Sequence, residues 1–164
     1  MGNLIILRGN SGSGKTVTAQ KLQKRLGPNT MLISQDAVRR DMLYAEDGPD
    51  TAALPLLMEL LKYGKAHSDT VILEGILRAA WYRPLFKLAK QLYAQTHIHA
   101  YYFDLPFEET VKRHQTKPNC QAFGTEDMWA WWKEQDFSDV LSESRITRDM
   151  DLEQVITIIC SQAL

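Results

Sequence analysis

The chain has 164 residues, 45% of them hydrophobic and 24% charged, which suits one domain with a real core. Its net charge of −1 lacks the basic bias of a dedicated nucleic-acid binder, and two isolated cysteines, Cys120 and Cys160, cannot build a disulfide framework or a metal knuckle. No apolar run approaches the roughly 20 residues a spanning helix needs and the apolar start is too short for a signal peptide, so the expected setting is a reducing cytoplasm without membrane contact.

Residues 4–7 form a continuous apolar run before Arg8 and Gly9, the pattern of a strand buried on both faces of a parallel sheet. Residues 15–26 read as a helix with Ala19, Leu22 and Leu26 on one face, ended by Gly27 and Pro28. Residues 31–33 are a second strand, 36–43 a short helix and 44–50 a loop. The next helix carries Ala53, Leu56, Leu57, Leu60 and Leu61 at helical spacing, with Pro55 in its first turn. Residues 70–75 are a third strand, 84–94 a helix and 98–104 a fourth strand. Pro106 opens a helix with Phe107, Val111 and His114 on one side; residues 117–124 interrupt, and 125–135 form another short helix. An extended piece near Ile146 and a helix from Asp151, striped by Leu152, Val155, Ile156 and Ile159, follow. Strands alternate with helices, so a single α/β domain over residues 1–164 with a mainly parallel sheet is expected.

Gly9-Asn10-Ser11-Gly12-Ser13-Gly14-Lys15-Thr16 is a complete phosphate-binding loop. Its glycines let successive backbone N–H groups converge on an anion, and the following helix offers free N–H groups and the positive end of its dipole. Lys15 is expected to reach the β- and γ-phosphates of ATP, and the Thr16 hydroxyl to ligate Mg2+. The strand before and the helix after supply the context that the motif requires.

Where the phosphate goes depends on the rest of the chain. A guanine-reading segment is missing, because "TKPN" at 116–119 has no Asp and follows a helix. The third strand ends in Glu74 and Gly75 rather than in the Asp usual for motor and transporter ATPases. "SQDAVRRD" at 34–41 follows the second strand, at the edge where open α/β sheets bind ligands. Asp36 there fits a base for an attacking hydroxyl, a helix N-cap, or both. Arg39, one turn on, fits a clamp for an anion or a transferring phosphoryl group. Glu74 reads either as a satisfied strand-end carboxylate or as a functional one, and Arg78 either as a surface residue or as a contact. Trp129, Trp131 and Trp132 either pack a helix onto the core or wall an acceptor ring. The four histidines lack metal-ligand spacing, and Arg39 with Arg40 makes no nucleic-acid groove.

The set "GNSGSGKT", "SQDAVRRD", "VILEGILR" and "YYFDLPFEETVKRH" resembles the small P-loop kinases grouped around zeta toxins, chloramphenicol phosphotransferase and phage-type polynucleotide 5′-hydroxyl kinase. The resemblance runs from Leu4 to about His114. It implies a three-layer P-loop NTPase fold with five strands in the order 2-3-1-4-5 and a small helical lid at about 114–137. It implies Asp36 as catalytic base, Arg39 as an acceptor-side contact, and Glu74 and Arg78 as acceptor or metal-water contacts. It further implies lid cations, with Arg113 as the catalytic one and Lys117 and Lys133 in the same region, and an adenine contact from the loop at 145–149. The expected function is an ATP-dependent kinase acting on a hydroxyl of a small-molecule or nucleotide-like acceptor. A polynucleotide 5′-hydroxyl kinase, or a non-kinase nucleotide-binding regulator or toxin-type protein, stands as the alternative.

Overall fold

Leu4, Ile5, Ile6 and Leu7 are completely buried, and a strand sends alternate side chains to opposite faces. In the computed structural model, which describes residues 2–118 and 120–164, Leu4 and Ile6 join one apolar cluster and Ile5 and Leu7 another. That alternation makes β1 (Asn3–Gly9) the centre of a sheet covered on both sides. The other described strands are β2 (Thr30–Ser34), β3 (Thr70–Gly75), β4 (Ile98–Phe103) and β5 (Glu143–Ile146). They pair in the order β2-β3-β1-β4-β5, every pair parallel. The expected order is found, and the sheet is wholly rather than mainly parallel.

Seven α-helices occur among the described residues: α1 (Lys15–Leu26), α2 (Gln35–Ala37), α3 (Ala53–His67), α4 (Arg83–Leu92), α5 (Phe107–Gln115), α6 (Thr125–Trp131) and α7 (Leu152–Ala163). Ala19 and Leu22 of α1, with Val155, Ile156 and Ile159 of α7, cover the sheet face of Ile5, Leu7 and Ile72. Leu57 and Leu61 of α3, with Leu85, Phe86 and Ala89 of α4, cover the face of Leu4, Ile6, Val71 and Leu73. The result is a three-layer α/β arrangement. None of these helices is long and apolar enough to cross a membrane.

Local chemistry sets most boundaries. Gly27, at φ 89°, ends α1 with its N–H on the Gln23 carbonyl. Asp151 and Gln154 open α7 by exchanging side-chain and backbone bonds. Three elements depart most from expectation, the others by a residue or two at an end. The single helix expected at 36–43 is α2 followed by a π-helical turn, Val38–Met42, closed by Leu43 N–H on the Val38 carbonyl. α4 stops at Leu92 because Tyr93 turns extended. α6 stops at Trp131 instead of reaching residue 135, because Trp132 is extended and the next backbone unit is held by Asn10. Met1 and Asn119, the latter inside the segment expected to interrupt α5 and α6, lie outside the described residues.

The parallel register brings the strand ends to one edge. Arg8 pairs with Gly75, Ser34 with Glu74, and Gly9 with Phe103. The phosphate loop leaves β1, Glu74 closes β3, and Asp36 follows β2, all on that edge.

Candidate active site

Residues 9–16 wrap the start of α1 as the motif requires. Gly12 adopts φ 78°, and a Cβ there would stand 2.6 Å from the Thr110 carbonyl oxygen and 2.9 Å from the Met128 Cε. Its missing side chain therefore lets α5 and α6 close on the loop. Lys15 is 6% exposed, and its Nζ donates to the Asn10 carbonyl at 2.8 Å and to Ser13 Oγ at 3.1 Å. Burial lowers the Lys15 ammonium to about 8, with Glu74 and Asp36 opposing the shift and Lys117 adding to it. The ammonium is thus held inside the loop that a triphosphate would fill.

Thr16 Oγ1 donates to Glu74, 3.2 Å from Oε1 and 3.3 Å from Oε2, and Glu74 is 2% exposed. A hydroxyl and a carboxylate side by side are hard oxygen donors of the kind Mg2+ prefers. Mg2+ needs only one or two protein groups when phosphate oxygens and water supply the others, so the pair fits that ion. Among the described residues no group of three or more His, Cys, Asp or Glu is arranged to hold a metal.

Asp36 lies in the first turn of α2, and the cap of that helix is Ser34, whose Oγ accepts from Ala37 N–H at 3.4 Å. The N-cap reading of Asp36 is thereby corrected. The Asp36 side chain is 56% exposed and pairs with Arg39 at 2.9 Å and Arg40 at 3.3 Å. Arg39 also donates to the Ala45 carbonyl at 3.1 Å, while its Nε is buried without a partner. Arg78 donates through Nη2 to the Trp131 carbonyl at 2.8 Å and lies 5.1 Å from the Trp81 ring, its Nε again buried without a partner. Arg78 therefore ties the loop after β3 to the end of α6.

Of the cations around the expected lid, Arg113 donates to the Ser13 carbonyl at 3.0 Å and to Glu109 at 3.1 Å, so its guanidinium rests on the phosphate loop. Lys117 is lowered by burial, opposed by the charges of Glu74 and Asp36, so it belongs to the same electrostatic cluster as Lys15. Lys133 pairs its ammonium with Asp136 at 3.2 Å. The tryptophans pack among other aromatics: Trp129 and Trp132 against Phe107 at the start of α5, and Trp131 against Phe123. Arg145 pairs with Asp104 at the end of β4.

Two constellations were not foreseen from the sequence. Gln35, beside Asp36, donates to Asp47 at 3.1 Å and to the Tyr82 hydroxyl at 3.0 Å, and that hydroxyl donates to Asp47 at 2.6 Å. Burial first, and Asp47 second, push the Tyr82 phenol up, so it stays a donor. This bonded trio ties the loop at 44–50 to the residue that follows β2 and to the start of α4. The other is Arg8, fully buried between Asp136 at 3.1 Å and Glu143 at 2.7 Å. A charged residue closing an apolar strand immediately before the phosphate loop was the available signal for it.

The chain matches a family described as an AAA domain over residues 4–135. Among curated proteins, no sequence matches it. Several solved structures share its fold at low identity. The tunicamycin resistance protein of Deinococcus radiodurans is 20% identical with a TM-score of 0.65, covering 99% of this chain and 95% of that one. The APS kinase of Mycobacterium tuberculosis, solved with AMPPNP and APS, is 20% identical at a TM-score of 0.63, covering 98% and 96%. The shikimate kinase of Acinetobacter baumannii, solved with shikimate, is 15% identical at a TM-score of 0.60, covering 100% and 96%.

Proposed function

Because the chain belongs to the AAA-domain family, its match running from β1 to beyond α6, we propose that it is an ATP-dependent kinase for a hydroxyl-bearing small molecule or nucleotide-like acceptor. The observation that carries this reading is the gathering of Lys15, the Thr16–Glu74 pair, Asp36 and Arg39 at one sheet edge. In this reading Lys15 and the Thr16–Glu74 pair form the donor half of a two-substrate site, and Asp36 with Arg39 forms the acceptor half. The APS kinase and the shikimate kinase of similar fold, each solved with its small molecule, support a small-molecule acceptor. The four segments quoted from the sequence support a finer placement beside zeta toxins, chloramphenicol phosphotransferase and polynucleotide kinase.

Phosphoryl transfer proceeds through a loose transition state, so positioning and charge neutralisation do most of the catalysis. The nucleotide loop at 9–16 binds the triphosphate through its N–H groups, and Lys15 places its ammonium against the transferring end. Thr16 and Glu74 would hold Mg2+, which neutralises charge on the β- and γ-phosphates when bound. Asp36 orients the acceptor hydroxyl and takes its proton late in the transfer. Arg39, paired with Asp36, and Arg78, at the loop after β3, flank the acceptor with positive charge. Arg113, braced on the Ser13 carbonyl, and Lys117, near Glu74 and Asp36, supply positive charge from the lid side.

An ADP-release assay with ATP and Mg2+, run over nucleosides, sugars, antibiotics and 5′-hydroxyl oligonucleotides, tests the proposal. One acceptor class should accelerate ADP release, and Asp36→Ala should lose that acceleration. ATP turnover that no acceptor accelerates would favour the non-kinase alternative, and labelling confined to oligonucleotide ends would favour the polynucleotide one.

A further inference from the structure

From the end of α6 at Trp131, residues 132–136 run as a strap that turns at Glu134 and Gln135 and is bonded on two sides. Toward the phosphate loop, Asn10 Nδ2 donates to the Lys133 carbonyl at 2.7 Å and Lys133 N–H donates to Asn10 Oδ1 at 3.0 Å. Arg8 Nη2 donates to the Asp136 carboxylate at 3.1 Å and to the Asp136 carbonyl at 2.9 Å. Toward the loop after β3, Trp131 accepts from Arg78 at 2.8 Å, and Asp136 Oδ2 accepts from Ala79 N–H at 2.8 Å. Arg8 Nε closes the triangle on the Leu77 carbonyl at 3.0 Å. One carboxylate oxygen, Asp136 Oδ2, thus serves the strand end that leads into the phosphate loop and the acceptor-side loop at once.

Stability alone does not account for this arrangement. A buried ion pair is a poor source of net stability, because desolvation offsets much of the Coulomb gain. An apolar residue at position 8 would fill the same space against Phe86 and Tyr102, whose rings lie 5.1 and 5.5 Å from the Arg8 guanidinium. What the guanidinium fork adds is fixed direction. We infer that Asp136 is a positioning residue that couples the nucleotide loop to the acceptor-side loop. Ordering of residues 9–16 by a triphosphate passes through Asn10–Lys133 and Arg8–Asp136 to Arg78 and Ala79. The inference rests on the kinase reading for what the two loops bind, but the coupling is measured without turnover.

Hydrogen exchange of the intact protein with and without Mg2+ and AMPPNP tests it. In the wild type the analogue should slow exchange in the phosphate loop, in 132–137 and in 76–81, with the Ala79 amide slowed about tenfold, within the usual range of coupling between sites. Asp136→Asn should keep the protection of the phosphate loop and lose that of 76–81. Glu143→Gln removes the other carboxylate facing Arg8 without touching the strap, and should leave the bound-to-free ratio in 76–81 at its wild-type value. If Asp136 only stabilised the fold, its substitution would speed exchange equally in both states; that unchanged ratio overturns the inference. Wild-type protection confined to the phosphate loop overturns it as well, and needs no variant to fold. Absence of protection anywhere removes the nucleotide reading beneath it, a distinct result.

Discussion

Lys15 holds its charge in a buried cage, and the pH dependence of nucleotide binding follows from that. With the ammonium lowered to about 8, the free protein carries a protonated Lys15 below that pH and a neutral one above it. A bound triphosphate favours the protonated form, so binding above pH 8 takes up a proton. Nucleotide affinity should therefore fall by up to about tenfold per pH unit above 8, and titration calorimetry in buffers of different ionisation enthalpy reads the uptake directly. Folding has the opposite slope from this group: the unfolded chain binds more protons between 8 and the ordinary lysine value, so stability rises with pH in that window. Lys15→Ala should cost on the order of 10² to 10³ in transfer rate. With Asp36 as the proposed base, Asp36→Ala should abolish transfer yet leave AMPPNP binding within about twofold, since its ion pairs are to Arg39 and Arg40 and not to the phosphate loop. Lys15, Thr16 and Asp36 were legible because each belongs to a short local pattern. Gln35, Asp47 and Tyr82 were not, because the bonds that define them span 12 to 47 residues and no local spacing encodes them.

Helix ends divide by the same logic. Gly27 and the Asp151–Gln154 box stop and start helices with their own neighbours, so those boundaries read directly from sequence. The end of α6 does not, because Asn10, 123 residues away, takes the Lys133 backbone. The packing of α5 and α6 on the phosphate loop depends likewise on a small residue at position 12. Gly12→Ala forces a Cβ to 2.6 Å from the Thr110 carbonyl and a left-handed backbone onto an L-residue. It should cost about 2–4 kcal/mol in urea unfolding and weaken nucleotide binding with it.

For the molecule as a unit, the buried Arg8 joins the centre of the sheet to the chain on both sides of residue 140. Arg8→Met removes the buried cation shared by Asp136 and Glu143, leaves Asp136 only the half-exposed Lys133, and should destabilise the protein by about 3–5 kcal/mol in denaturant titration. The doubly wound sheet itself was readable beforehand. Apolar runs at 4–7 and 71–73, separated by amphipathic helices, fit burial in the middle of a parallel sheet. The phosphate loop was equally plain, because its function resides in the backbone of eight consecutive residues. The chain's order of residues was enough to specify a nucleotide loop, an α/β domain and an acidic residue at the β2 edge, since strand alternation, helix caps and glycine turns all act over a few residues. Folding in three dimensions was needed to set Glu74 against Thr16, Asp47 against Gln35 and Tyr82, and Asp136 against Arg8 and Ala79. Those contacts depend on directional hydrogen bonds between segments far apart in the chain, and such bonds form only when the packed layers bring their ends to one edge.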